Sequence, residues 1–481
     1  MKKLMSLVLA FVLAFTLCVP AFAADEATVE YDGDPIVVVR GIDFAGLVKE
    51  DGSSAISIDA FDVLGLIFDI GGHKVTGNKA AGAHAIADFG KNIFSDLMVD
   101  QNGNSINADV TIPKFYDCGA DLDLSDDDKW SDTAVGLFRS LTRKYGGENV
   151  YLYTFDWRMS PDKLADDLNS YFKMVQDKTG ATKLDVAACS MGGMITTAYI
   201  DKYGADIFDS LVFFSPALNG ADVVGSAFTG DLTISGNDLT EFLIKKVGSN
   251  FFVNLIIRFL DFFGFIDTIS GFVNEILADY GDIIYDEFLC EVFRTTYGLW
   301  GMVPDEYYDD AVDFFFEGVE DEYAVALNEI EKIKTFVTST EEIIAKVPAA
   351  GAKLSFVSHY GNTQLPIYSK SYLHGDGVLE SARTSCFATF ANYGKTLTDE
   401  ELAGVEAEYI SPDRVVNAKT ALYPESTWIV NGAKHVGCKD NSDHTEFAIW
   451  LLAQDEQPTV YTNAAYPRFL NCDANENFIA W

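Results

Sequence analysis

Ala188-Cys189-Ser190-Met191-Gly192-Gly193 sets a hydroxyl between an apolar run and a helix-like stretch. A serine oxygen attacks an acyl carbon only after a base takes its proton. A sharp strand-to-helix turn with small flanking residues lifts such a side chain above a sheet. The next backbone N–H, that of Met191, then points from a helix N-terminus toward developing negative charge. Glycine usually stands two residues before such a serine; here it is Ala188. The alternative for Ser190 is a helix N-cap, a frequent role for serine.

Nucleophiles of this kind are followed along the chain by an acid and then a histidine. Of six histidines, His359, His374, His435 and His444 come after Ser190. His435 follows Thr427–Val430, which reads as the last strand, and is the expected base. His444, at the start of the next helix, is the runner-up. Asp376, between Gly375 and Gly377, is the expected acid, holding the imidazole tautomer without itself taking the proton. Its plainer reading is an Asx-turn residue. The second oxyanion donor is expected at the backbone of Ile42, with Gly41 allowing close approach.

These residues need a scaffold. Pro35–Val39 is a short β-branched run that reads as a buried strand. Helix-like stretches follow at 58–70 and 81–98. From Ala134 the pattern alternates: helix 134–145, strand 149–155, helix 161–178 ending at Gly180, strand 183–189, helix 192–203 and strand 210–215. Such repeats predict a mostly parallel central sheet flanked by helices. Residues 218–345 interrupt the rhythm with Phe, Ile and Leu at helical spacing, densest at 251–266, and read as an inserted helical cap. Arg258, Asp261 and Asp267 argue against a transmembrane helix there. The alternation resumes at Leu354–Ser358. The expected division is a leader at 1–23, a core at 24–217 and 346–481, and the cap between.

The leader is read from Lys2 and Lys3, the apolar run Leu4–Val19, and Ala21-Phe22-Ala23 at a cleavage site, which predicts an exported, extracellular protein. A formal net charge of −39 repels nucleic acid, which is excluded as a partner. The cysteines beyond the leader are too sparse for a disulfide scaffold, although Cys438 and Cys472 could bridge, and no CxxC pair suggests zinc. The acidic loop Asp117–Asp132 matches no defined calcium spacing. No metal or cofactor is expected.

The chain resembles the lecithin:cholesterol acyltransferase-like branch of the α/β-hydrolases, lipases included. Tyr153-Thr154-Phe155-Asp156-Trp157-Arg158-Met159-Ser160-Pro161 is similar to that family's tyrosine–aspartate–tryptophan–arginine segment. Ser190–Gly193, Phe214-Ser215-Pro216 through Asn219-Gly220, and Tyr360-Gly361 with Gly375–Gly377 also resemble it, as does Leu299–Pro304 more loosely. Arg40-Gly41 departs from the family's usual Pro-Gly or His-Gly. The resemblance implies an α/β-hydrolase fold and a serine ester hydrolase or acyltransferase. Asp156, Trp157 and Arg158 would be architectural.

An apolar cap over such a site favours fatty-acyl esters and transient contact with a lipid surface. Amide or thioester cleavage on the same site is a second reading. A third is an inactive fold that binds lipid or a surface partner; the intact trio Ser190, Asp376 and His435 argues against it.

Overall fold

The computed structural model describes residues 31, 33–42, 46–56, 60–107, 110–112, 118–121, 133–233, 265–365 and 367–481. The leader, the central acidic run Asp126–Asp128 and nearly all of the dense apolar stretch 251–266 lie outside them.

Short runs of apolar, largely β-branched or aromatic residues make the strands, because a strand covered on both faces has no use for polar alternation. They are β1 (Ile36–Val39), β2 (Val150–Tyr153), β3 (Leu184–Cys189), β4 (Phe208–Phe214), β5 (Lys353–Tyr360), β6 (Thr389–Phe390), β7 (Val416–Asn417), β8 (Thr427–Asn431) and β9 (Phe469–Asn471). Seven form one sheet in the order β2-β1-β3-β4-β5-β8-β9, parallel throughout, and β6 and β7 form a separate antiparallel pair. Thr427–Asn431 is therefore not the last strand. Phe469–Asn471 pairs beyond it, and three residues are too few to carry a period that sequence reading can detect.

Helices cover both faces. Pro161–Thr179 and Met191–Tyr203 pack on one side around Leu168, Phe172, Ile195 and Phe213; Thr133–Tyr145 and Asp443–Leu452 pack on the other around Phe138, Trp428 and Phe447. The helix Pro161–Thr179 shows why its ends fall where they do. The Ser160 hydroxyl accepts the Lys163 N–H, Pro161 occupies the first turn, and Gly180 closes the helix at φ 76°.

Between β4 and β5, the described helices include Asp222–Phe228, Phe265–Ile284, Tyr308–Phe316 and Ala324–Thr338. Part of this cover packs around Trp300, which is fully buried among Phe228, Tyr308, Phe315 and Phe316. The helical layer also draws on a stretch before β2. Ala60–Thr76 and Lys79–Phe94 pack on Phe265–Ile284 through Ile70, Ala83, Phe272 and Ile276. Among the described residues no helix is long and apolar enough to cross a membrane.

Six cysteines are free thiols, Cys438 and Cys472 among them, so the bridge weighed for that pair does not form. The Cys438 sulfur lies instead 3.5 Å from His444 Nδ1.

Candidate active site

Parallel strands bring their C-terminal ends to one rim, where open α/β sheets place their ligand crevices. Val39 is in register with Ala188, Cys189 with Phe214, Phe214 with Val357, and Tyr360 with Asn431. The turns that leave this rim carry Gly41, Ser190, Asp376 and His435.

Ser190 follows β3 directly and precedes the helix Met191–Tyr203, at φ 53° and ψ −126°. A non-glycine residue in that region is strained and persists only where its surroundings over-determine it. Here they do: the Ser190 N–H donates to Phe214 O at 3.0 Å, and its carbonyl accepts from Gly193 N and Ala217 N, each at 2.9 Å. Gly41 lies against the turn. A Cβ on it would stand 2.7 Å from Ser190 Cβ and 3.1 Å from Oγ, so only glycine lets the β1 turn approach this closely. Ile42, the next residue, is half-buried, and Met191 is the first residue of the helix, where backbone N–H groups have no intrahelical partner.

His435 Nε2 lies 2.8 Å from Ser190 Oγ, and its Nδ1 lies 2.7 Å from Asp376 Oδ2. Asp376 is fully buried on its side chain and uses both oxygens. Oδ1 accepts the N–H groups of Val378 (2.9 Å) and Leu379 (2.8 Å), leaving Oδ2 for the imidazole. The Asx-turn contacts and the contact with the imidazole therefore coexist, on different oxygens. Since a carboxylate accepts only, His435 carries its proton on Nδ1 and offers an Nε2 lone pair to the serine hydroxyl. Asn362 ties the acid and histidine turns together, its N–H donating to Gly375 O (3.1 Å) and its amide to Ala433 O (2.7 Å).

The other expected residues lie off this line. His444 is fully buried and does not reach the serine; it contacts His359 and the Cys438 backbone. His374 is buried beside Tyr360 and Tyr393. Arg158 is 1% exposed and grips Asp156 with two nitrogens, Nε at 2.9 Å and Nη2 at 2.6 Å, while Trp157 is fully buried, so the segment braces the core. Arg40 is buried, and its backbone N–H donates to Tyr153 O.

A polar network that sequence reading missed connects the acid turn to the cap. Glu380, four residues after Asp376, accepts from Tyr368 OH (2.6 Å) and Asp222 N (3.0 Å). Arg383 bridges Asp222 to Glu306 (2.6 Å). Burial first, and the Asp222 charge second, push the Glu380 carboxyl up to about 7. A carboxylate among apolar neighbours with an arginine three residues on was the available signal.

Among the described residues, no group of three or more His, Cys, Asp or Glu side chains is arranged to hold a metal ion. Residues 157–251 match the family model for serine aminopeptidase, S33. None of the curated proteins matches. A solved chain of the Tle4-Tli4 complex is similar at 9% identity, over 87% of this chain and 97% of that one, with a TM-score of 0.34, a likeness too low to add to the assignment. The sheet order and the helices on both faces are those of an α/β-hydrolase fold, and the family-model match across the elbow helix supports a hydrolase.

Proposed function

We propose that the protein is an exported serine hydrolase that cleaves ester bonds through an acyl-enzyme on Ser190. The observation that carries this reading is the unbroken hydrogen-bonded line from Ser190 Oγ through His435 to Asp376. Ser190 Oγ bonds to the acyl carbon as its proton passes to His435 Nε2. The carbonyl oxygen becomes an oxyanion held by the N–H groups of Met191 and Ile42. As the ester C–O bond breaks, His435 returns the proton to the leaving alkoxide. Water, or an acceptor alcohol, then repeats the sequence on the acyl-enzyme, and Asp376 stabilises each imidazolium that forms.

Fatty-acyl esters are the substrate class we favour, because the cover is built from apolar helices. The lecithin:cholesterol acyltransferase-like branch is the finer placement, resting on the Tyr153–Pro161 segment. Export rests on the leader alone. A second reading, amide or peptide cleavage at the same serine, is favoured by the description of the matching family model.

A fluorophosphonate probe should label the protein, and Ser190→Ala should abolish labelling and lower kcat by about 10^4- to 10^6-fold. Labelling that survives the substitution would exclude Ser190 as nucleophile. p-Nitrophenyl esters of rising chain length should be cleaved with a preference for octanoate over acetate. Faster turnover of aminoacyl p-nitroanilides than of any ester would move the assignment to the second reading.

A further inference from the structure

Beside the Ser190 line runs a second, fully buried chain of polar groups: Ser215, His359, His444 and the backbone of Cys438. Its hydrogen-bond directions are determined from one end. The Cys438 N–H is a donor only, and it meets His444 Nδ1 at 3.2 Å, so that nitrogen carries a lone pair. A neutral His444 ring then bears its proton on Nε2 and donates to His359 Nε2 at 2.8 Å. His359 in turn bears its proton on Nδ1 and donates to Ser215 Oγ at 2.7 Å. The same Ser215 oxygen accepts the N–H of Val436 at 3.2 Å. The chain thus starts and ends on the turn that carries His435, gripping it at the first and third residues after the imidazole.

That turn needs gripping. Val436, Gly437 and Cys438 all have positive φ, at 65°, 65° and 61°, and a β-branched valine there is a true outlier. A Cβ on Gly437 would stand 2.8 Å from His444 Cε1, so the ring also sets the path of the backbone above it. Burial drives the basicity of both rings down, which keeps them neutral and keeps the donor order intact.

We propose that His444, His359 and Ser215 are positioning residues that hold the reacting imidazole of His435 in line between Ser190 and Asp376. The inference deepens the proposed function and rests on it. His444 enters as the source of the turn's geometry, having no route to the serine of its own. A group acting this way changes the alignment of the proton transfer and leaves substrate binding alone, and misplacement of about 1 Å costs on the order of 10^2-fold in rate.

The test compares His444→Phe, which keeps an aromatic ring and removes every hydrogen bond of the imidazole nitrogens, with His444→Asn, whose amide oxygen can still accept the Cys438 N–H. His435→Ala is run beside them. His444→Phe should lower kcat on a p-nitrophenyl ester by about 10- to 100-fold with KM within twofold, counted per active site titrated by fluorophosphonate. It should also shift or broaden the low-field proton resonance of the His435–Asp376 hydrogen bond. His444→Asn should restore part of kcat. A His444→Phe protein with normal kcat and an unmoved resonance would overturn the positioning role while His435→Ala remained inactive. An active His435→Ala would instead overturn the functional reading beneath it. Should His444→Phe not fold, His359→Gln, which breaks the next link, is read by the same kcat, KM and resonance, with the same outcomes on either side.

Discussion

The rim of the sheet and the helical cover near Trp300 are held together in different ways. At the rim, each group of the proposed triad sits on a short turn fixed by several directional bonds: three backbone bonds around Ser190, two N–H groups on Asp376, and the buried histidine chain behind His435. In the cover, the Trp300 side chain makes one hydrogen bond, from its indole N–H to Arg294 O, and otherwise packs against rings, with Phe228 at 5.0 Å and Phe315 at 5.5 Å between centroids. Directional bonds fix positions to fractions of an ångström. Apolar burial fixes volume and tolerates exchange of shape. Chemistry should therefore fail first at the rim and stability first in the cover.

Asp376→Asn should break the rim most cleanly. The amide oxygen can still accept from Val378 and Leu379, while the imidazole loses its carboxylate and its tautomer, so kcat should fall about 10^4-fold with little change in thermal midpoint. Steady-state kinetics beside a melting curve checks both halves. Trp300→Ala, the counterpart in the cover, should cost about 3–5 kcal/mol of stability in denaturant titration. Its kcat per titrated site should stay close to normal. If that variant lost activity per site as heavily as Asp376→Asn, the division between the two regions would be wrong. Gly41→Ala is a finer cut at the rim: the added carbon meets Ser190 and should lower kcat by about 10^2-fold with the fold intact.

The smallest expected effect is one of pH. Burial lowers the His444 pKa from 6.5 to about 4. A depressed folded value means that the unfolded chain binds the proton first. The stability this ring contributes is intact above pH 6.5 and is lost as pH falls toward 4. Denaturant titrations at pH 7 and 4.5 should show this loss, and His444→Phe should make the decline shallower.

Much of the rim was legible because its signals are local. Ser190 stands at a junction of strand and helix patterns, Asp376 sits between two glycines, and His435 follows an apolar strand. The roles of His359, Ser215 and His444 were not legible. Their relation is a contact between the ends of β4 and β5 and the first turn of the helix Asp443–Leu452, and no spacing along the chain encodes it. A histidine near the end of the almost wholly buried β5 was the faint clue. The second layer of the cover escaped for a similar reason. Helices Ala60–Thr76 and Lys79–Phe94 look like part of the core in chain order, and only packing on Phe265–Ile284 reveals their place. The edge strand Phe469–Asn471 was simply too short.

His435 reaches Ser190 across 245 positions of sequence and Asp376 across 59. A polypeptide extending only to Lys434 owns the Ser190 hydroxyl and the Asp376 carboxylate but no base to take the hydroxyl's proton. On the proposed mechanism turnover begins only when the final stretch has docked against the other turns, which makes catalysis a sensor of completed assembly. Proteolytic nicking that releases this stretch would silence the molecule at once, however sound the remaining sheet.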